Sequence, residues 1–231
     1  MDIAGVSVRV TRKRIKALRL TVHPPDGEVR VSAPHAVPIN AIHAFVESRV
    51  GWIRKHQERI RASAPVLLDY ATGEMIAFDG RLYPLEVVYR AQRPTVTLLH
   101  DSRIVMTIPP DFDRSKRERT LHAWYRAHLE AVVPPMIAAW EPRLGVSVAE
   151  WRIREMKTRW GTCSIKARRI WLNLELATKP PECLEYLVVH ELVHLLEPSH
   201  NARFKALMDR HLPDWRALRA ALNRGQHRQD D

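Results

Sequence analysis

Residues 187–200 read LVVHELVHLLEPSH, an apolar run interrupted by His190, Glu191, His194, Glu197 and His200. Buried polar groups cost free energy unless something satisfies them. A greasy helix carrying these side chains therefore points to a bound ion. Residues four apart lie on one helical face, so His190 and His194 can grip one metal with two imidazole nitrogens. Glu191 is turned from His190 by about 100 degrees. That offset keeps it out of the ligand set and leaves it beside a metal-activated water, in position to take a proton.

Residues 190–194 thus carry the H-E-x-x-H pattern of zinc peptidases. A catalytic zinc needs a third protein ligand and one open position. His200 is the favoured third ligand, because Pro198 breaks the helix and lets the chain turn back toward the ion. Glu197, close behind His194, and His211, on the next helix, are the other candidates. The spacing from His190 to His200 also matches the metzincin peptidases. Those have glycine where Glu197 stands, so membership in that group is not expected.

Several elements must hold these residues. Leu184, Leu187, Val188, Leu192 and Leu195 form the apolar stripe of a helix that starts at Pro180-Pro181 and stops near Pro198. A second helix is predicted from about Ala202 to His211, and a third after Pro213. Residues 151–155 and 169–176 (RIWLNLEL) read as strands, with RWGTCSIKA between them. RIWLNLEL is either an edge strand that hydrogen-bonds an extended substrate or an interior strand. Residues 115–133 have helical period. Pro134-Pro135 interrupts them, and a short helix restarts to about Trp140.

Further upstream, VSVRV (6–10), LRLTV (18–22) and VRVSA (29–33) alternate as half-buried strands, with PPDG (24–27) as a turn. Residues 38–62 follow helical period, closed by Ser63-Ala64-Pro65. Strands return at 74–108, with one turn at Asp79-Gly80 and another across His100-Asp101-Ser102. No internal repeat is visible. The expected class is α+β: a β-rich part with one long helix over 1–113, then a mainly helical part with a small sheet over 114–231, the two closely packed.

The chain has 231 residues, 45% hydrophobic and 27% charged, as ordinary globular proteins do. No apolar run approaches a membrane span, and no secretory signal is expected at the N-terminus. Two cysteines, Cys163 and Cys183, suit a reducing cytoplasm better than a disulfide scaffold. The net charge of +11 is spread over both halves. It thickens at Arg9, Arg12, Lys13, Arg14, Lys16 and Arg19, and again between Arg152 and Arg169. Such a balance fits either a solvated surface or contact with nucleic acid.

MKTRWGTCS, IWLNLEL, Pro180-Pro181, EYLVVHELVHLLEPSHNARF and LPDW follow one another between residues 156 and 215. In this order they resemble the YgjP-like metallopeptidase family, which is related to the SprT-like and WLM zincins. SAP (32–34) and GWIRKHQ (51–57) resemble it as well, so the likeness spans most of the chain. The resemblance implies a zincin-like catalytic part, Zn2+ held by His190, His194 and His200, Glu191 as general base, and a peptide or protein substrate. Thr162 stands where the family often has serine, which keeps the hydroxyl. The SprT-like relatives act on DNA-bound proteins, a second pointer to nucleic acid.

The expected reaction is endopeptidase hydrolysis. Arg159, Tyr186 and His211 are oxyanion or substrate candidates by side-chain type. Asp209 and Asp214 are candidates to orient ligand histidines, Asp214 also as a helix N-cap. The alternative is a nucleic-acid-associated protein with a structural zinc site, or a DNA-associated protease that combines both.

Overall fold

The alternating residues of the N-terminal segments form strands that bury every second side chain. The computed structural model describes residues 1–23, 26–62 and 68–224. The chain divides into two units, Met1–Leu67 and Leu68–Asp231, and its class is α+β. In the first unit, β1 (Asp2–Ile3), β2 (Val6–Lys13), β3 (Arg19–His23) and β4 (Glu28–Pro34) form a sheet in the order β1-β2-β4-β3. β2 and β4 are parallel, and both outer pairs are antiparallel. Val6, Val8, Val29, Val31 and Ala33 pack with Ile42, Val46 and Ile53 of α1 (Ile39–Glu47) and α2 (Val50–Ala62).

The helix expected over 38–62 is therefore two helices, parted at Ser48 and Arg49. The Ser48 hydroxyl donates to the Phe45 carbonyl at 3.0 Å, an acceptor the helical ladder would otherwise use. Pro24-Pro25 of the expected turn, and the expected helix closure at Ser63–Pro65, lie outside the described residues.

The second unit opens with β5 (Met75–Phe78), β6 (Arg81–Tyr89), β7 (Thr95–Leu99) and β8 (Arg103–Ile108), in the order β5-β6-β8-β7. This sheet repeats the first strand for strand, again with a parallel central pair. Both first hairpins turn on two residues of positive φ, Ala4-Gly5 at 50° and 73° and Asp79-Gly80 at 44° and 78°. A tight hairpin that follows the strand twist needs that backbone. Aligned on the second hairpin of each sheet, Arg12↔Ala33 corresponds to Tyr89↔Ile108 and Arg19↔Ser32 to Thr95↔Thr107, with β6 two residues longer than β2 between its first turn and this register. An internal repeat exists after all. A pleated sheet needs alternation of burial rather than residue identity, so two copies can share a fold without visible likeness.

The boundary expected near residue 113 falls inside the second unit. Ile76, Phe78, Leu85, Ile104, Met106 and Ile108 share one core with Leu121, Tyr125 and Leu129. Those last three belong to α3 (Arg114–Leu144), which is capped by the Asp113 carboxylate on the Lys116 N–H at 2.7 Å and runs unbroken through Pro134 and Pro135. Proline costs a helix the hydrogen bond to the carbonyl four residues back. Here those carbonyls belong to Glu130 and Ala131, and all four residues are exposed, so water can take the freed acceptors. The buried stripe Leu129, Val133, Ile137, Trp140 and Leu144 carries the helix across.

β9 (Glu150–Arg154), β10 (Gly161–Ser164) and β11 (Arg169–Asn173) form a small sheet in the order β10-β11-β9. RIWLNLEL is a strand only to Asn173; Leu174–Thr178 is a 3-10 turn. β11 pairs on both sides and is interior, while β10, drawn from RWGTCS, and β9 are the two edges. Then follow α4 (Pro181–Val193), α5 (Ala202–His211) and α6 (Trp215–Leu222). The β5–β6 hairpin fixes the start of α4. The Asp79 N–H donates to the Ala177 carbonyl at 2.9 Å, and a side chain at Gly80 would meet Pro180 Cγ at 2.7 Å. Among the described residues, no helix is long and apolar enough to cross a membrane.

Candidate metal centre

α4 is buried from Tyr186 to Val193 without interruption. A helix apolar all round belongs in a core, and this one carries His190, Glu191 and His194 into it at 2%, 0% and 4% exposure. The helix ends at His194, a turn before Pro198. The chain then reverses, and the Asn201 side chain caps α5 by accepting from the Phe204 N–H at 3.0 Å. This reversal returns His200 to the helix.

His190 Nε2 lies 3.2 Å from His194 Nε2 and 3.1 Å from His200 Nε2, and the three ligand atoms lie within 4.8 Å of one another. Two nitrogens bound to one tetrahedral zinc at its usual bond length stand about 3.3 Å apart. The other ring nitrogens of His194 and His190 face acceptors. His194 Nδ1–H donates to the Glu197 carbonyl at 3.1 Å, and the buried Tyr186 hydroxyl lies 3.4 Å from His190 Nδ1. A proton held on Nδ1 leaves the Nε2 lone pair for a metal. The residues present therefore fit an ion bound by three neutral imidazoles, a donor set that suits zinc far better than magnesium or calcium.

The Phe204 ring forms the floor of the cluster, its centroid 5.0, 4.7 and 4.7 Å from those of His190, His194 and His200. Glu197 is engaged elsewhere: its carboxylate accepts from the Ser199 N–H at 3.3 Å and lies 3.8 Å from Arg203 Nη1. Glu191 meets the edge strand β10, because the space a Cβ at Gly161 would need is filled by the Glu191 carboxylate.

The description YgjP-like, metallopeptidase domain matches residues 16–225. The chain belongs to this family. It is a metallopeptidase, and the three-histidine group is where its residues could hold a metal. Among solved structures, the crystal structure of the metallopeptidase zymogen of Pyrococcus abyssi abylysin is similar over 43% of this chain and 100% of that one, at 21% identity and a TM-score of 0.40. The sequence has no match among curated proteins.

The remaining sequence candidates separate in space. Tyr186 is fully buried and sits on the Nδ1 side of His190, away from the nitrogen that would meet the metal. Arg159 is exposed, two residues before Gly161. His211 ends α5, two turns beyond Phe204. Asp209 accepts from Trp215 Nε1 at 2.7 Å and pairs with Arg216, joining α5 to α6. Asp214 occupies the N-cap position of α6, though its side chain makes no capping bond. Neither aspartate is shown beside a ligand histidine.

Two organising residues escaped sequence reasoning. Asn173 is fully buried, and its amide donates to the carbonyls of Met156 and Arg159 at 2.8 and 2.7 Å, which pins the loop leading into β10. Phe204 is the other. A lone asparagine between two leucines was the available signal for the first; nothing distinguished Phe204 from any core aromatic.

Proposed function

We propose that this metallopeptidase is a zinc-dependent endopeptidase in which His190, His194 and His200 hold the ion and Glu191 is the general base. The observation that carries the reading is the convergence of three imidazole Nε2 atoms next to a carboxylate that borders the edge strand β10. When bound, zinc supplies Lewis acidity, which polarises a peptide carbonyl and brings the acidity of water toward neutrality. Glu191 accepts the proton of the attacking water and returns it to the leaving amine. The open edge of β10 offers backbone N–H and C=O groups to an extended peptide, which replaces RIWLNLEL as the substrate strand. Arg159, exposed and with its backbone carbonyl clamped by Asn173 two residues before β10, is the residue we assign to the oxyanion. Two cysteines are too few for a disulfide scaffold, which supports a cytoplasmic setting.

Elemental analysis of chelator-free protein, paired with hydrolysis of an unfolded fluorescent protein, tests this reading. The wild type and Glu191→Gln should each carry about one zinc per chain, and His200→Ala should lose most of it. Cleavage should vanish in Glu191→Gln. A Glu191→Gln variant that cleaves at the wild-type rate would refute the assigned base.

A further inference from the structure

The two repeated sheets share topology and, aligned on their second hairpins, the pairing of their last three strands, so these parts of their outer faces can be compared position by position. Along the outward side of the first sheet stand Ser7, Arg9, Thr11 and Lys13 of β2, Arg30 and Ser32 of β4, and Arg19 and Thr21 of β3, with Glu28 and His23 at one end. The strand pairing places Arg9, Arg30 and Thr21 in one row and Thr11, Ser32 and Arg19 in the next. At the corresponding places the second sheet has Glu86, Val105 and Thr97, then Val88, Thr107 and Thr95. Three of the first sheet's arginines thus correspond to a glutamate, a valine and a threonine. The second sheet's outward face does carry Arg103, paired with Glu86 at 2.9 Å, but none of the three arginines is required by the fold, since the same fold exists without them in the same chain.

Four cations, Arg9, Lys13, Arg19 and Arg30, oppose two acids: Glu28, which lies 2.7 Å from Arg9 and 2.5 Å from Arg30, and Asp2, which stands opposite Ser7 on β1. The Arg9 and Arg30 side chains keep 70% and 48% of their exposure despite that pairing. Arg14 and Lys16, both exposed, extend the charge along the β2–β3 connection. The remaining groups are hydroxyls. Arginine, lysine, serine and threonine are the side chains that contact phosphate oxygens. The face carries no Phe, Tyr or Trp on which unpaired bases could stack, and its apolar side chain, Pro34 opposite Lys13, is too small a patch to anchor in a lipid surface.

We propose that the outer face of the first sheet binds the phosphate backbone of a nucleic-acid duplex, without reading its sequence. A duplex presents one negative charge per about 1.7 Å of axis, a density that a flat row of cations and hydroxyls complements. This proposal stands apart from the metal-site reading, since none of these residues belongs to that site.

The test is fluorescence anisotropy of a short labelled DNA duplex with the full-length protein across a salt series. Wild-type affinity should fall with salt. Arg9→Gln/Lys13→Gln/Arg19→Gln/Arg30→Gln should weaken binding about tenfold or more at low salt and flatten the log–log salt slope by about 2 to 4 units, near 0.9 for each phosphate no longer neutralised. Lys13→Gln/Arg19→Gln, which spares the Glu28 ion pairs, should give about half that change and serves if the fourfold variant folds poorly. Peptidase activity and metal content should not move. A control with equal charge removed from the second unit, Arg90→Gln/Arg93→Gln/Lys166→Gln/Arg210→Gln, should bind as the wild type does. Equal weakening in the control, an unchanged slope in the fourfold variant, or equally tight binding to polyglutamate or anionic vesicles would each overturn the proposal.

Discussion

Gly161 of β10 stands directly against the carboxylate of Glu191 on α4. A Cβ built at residue 161 would lie 2.9 Å from Glu191 Cδ and 3.1 Å from Cγ, and would overlap Oε1. Strand and helix meet here with only the Glu191 side chain between them. The Gly161→Ala variant must therefore push the carboxylate aside or part the two elements. A displacement of about 1 Å in a catalytic group costs roughly 100-fold in rate. The expected outcome is a loss of that order in kcat/KM with zinc content unchanged, read by steady-state kinetics beside elemental analysis. Wild-type kinetics in the alanine variant would mean that catalysis does not depend on where this carboxylate sits.

Tyr186 acts on the cluster from behind. Its hydroxyl is the acceptor facing His190 Nδ1 at 3.4 Å, inside the core. Removing such an outer partner of a ligand histidine typically costs about 10–100-fold in metal affinity. Tyr186→Phe keeps the ring packing and should weaken zinc binding by that factor in competition with a chromogenic chelator. An unchanged Kd would show that this hydroxyl does not orient the imidazole.

Asn173 couples stability to the same site. Its side chain makes bonds to Met156, Arg159 and the Glu175 N–H, the last at 3.2 Å. Asn173→Leu would leave three partly buried backbone groups without these partners, at a cost of about 3 kcal/mol in all. For a domain of this size the melting temperature should drop by about 6–12 °C. The Met156–Trp160 loop leads into β10, so protease nicking within that loop should accompany the loss. A melting curve that overlays the wild type would argue against the clamp.

Two tyrosines predict alkaline sensitivity. Burial, then the hydrogen bond to Glu118, pushes the Tyr70 phenol up to about 12, and burial pushes Tyr125 up further. A folded-state value above the unfolded one stabilises the fold below the unfolded value, near 10, and that contribution is lost as pH rises toward the folded value. Stability should therefore decline from about pH 10 to 12. Denaturant titrations of Tyr70→Phe across that range should show a shallower decline. An identical slope would place the alkaline transition in other groups.

The local geometry of the candidate site could be read from residues alone. His190 and His194 share a face because of helical pitch, and Pro198 together with the asparagine cap that follows it dictates a reversal that carries His200 back. Strand alternation in VSVRV and VRVSA, and the Asp79-Gly80 turn, were legible for the same reason: each is set by neighbours close in sequence. Reading failed where the deciding partners are distant. Pro134 and Pro135 look like a helix end until it is known that the carbonyls they orphan face water and that the flanking stripe is packed. RIWLNLEL looks like a candidate edge until β9 and β10 are placed on its two sides.

The sequence by itself determined the candidate ligands on one helical face, their spacing and the alternation of both sheets, because these follow from backbone periodicity within a few residues. Only the tertiary structure decided that β10 rather than β11 is an edge, that Gly161 faces Glu191, that Tyr186 lies behind His190, and that the first sheet is built like the second. Each of these depends on segments far apart in the chain being brought together, and burial of apolar surface accomplishes that without leaving a signature in any one of the segments it joins.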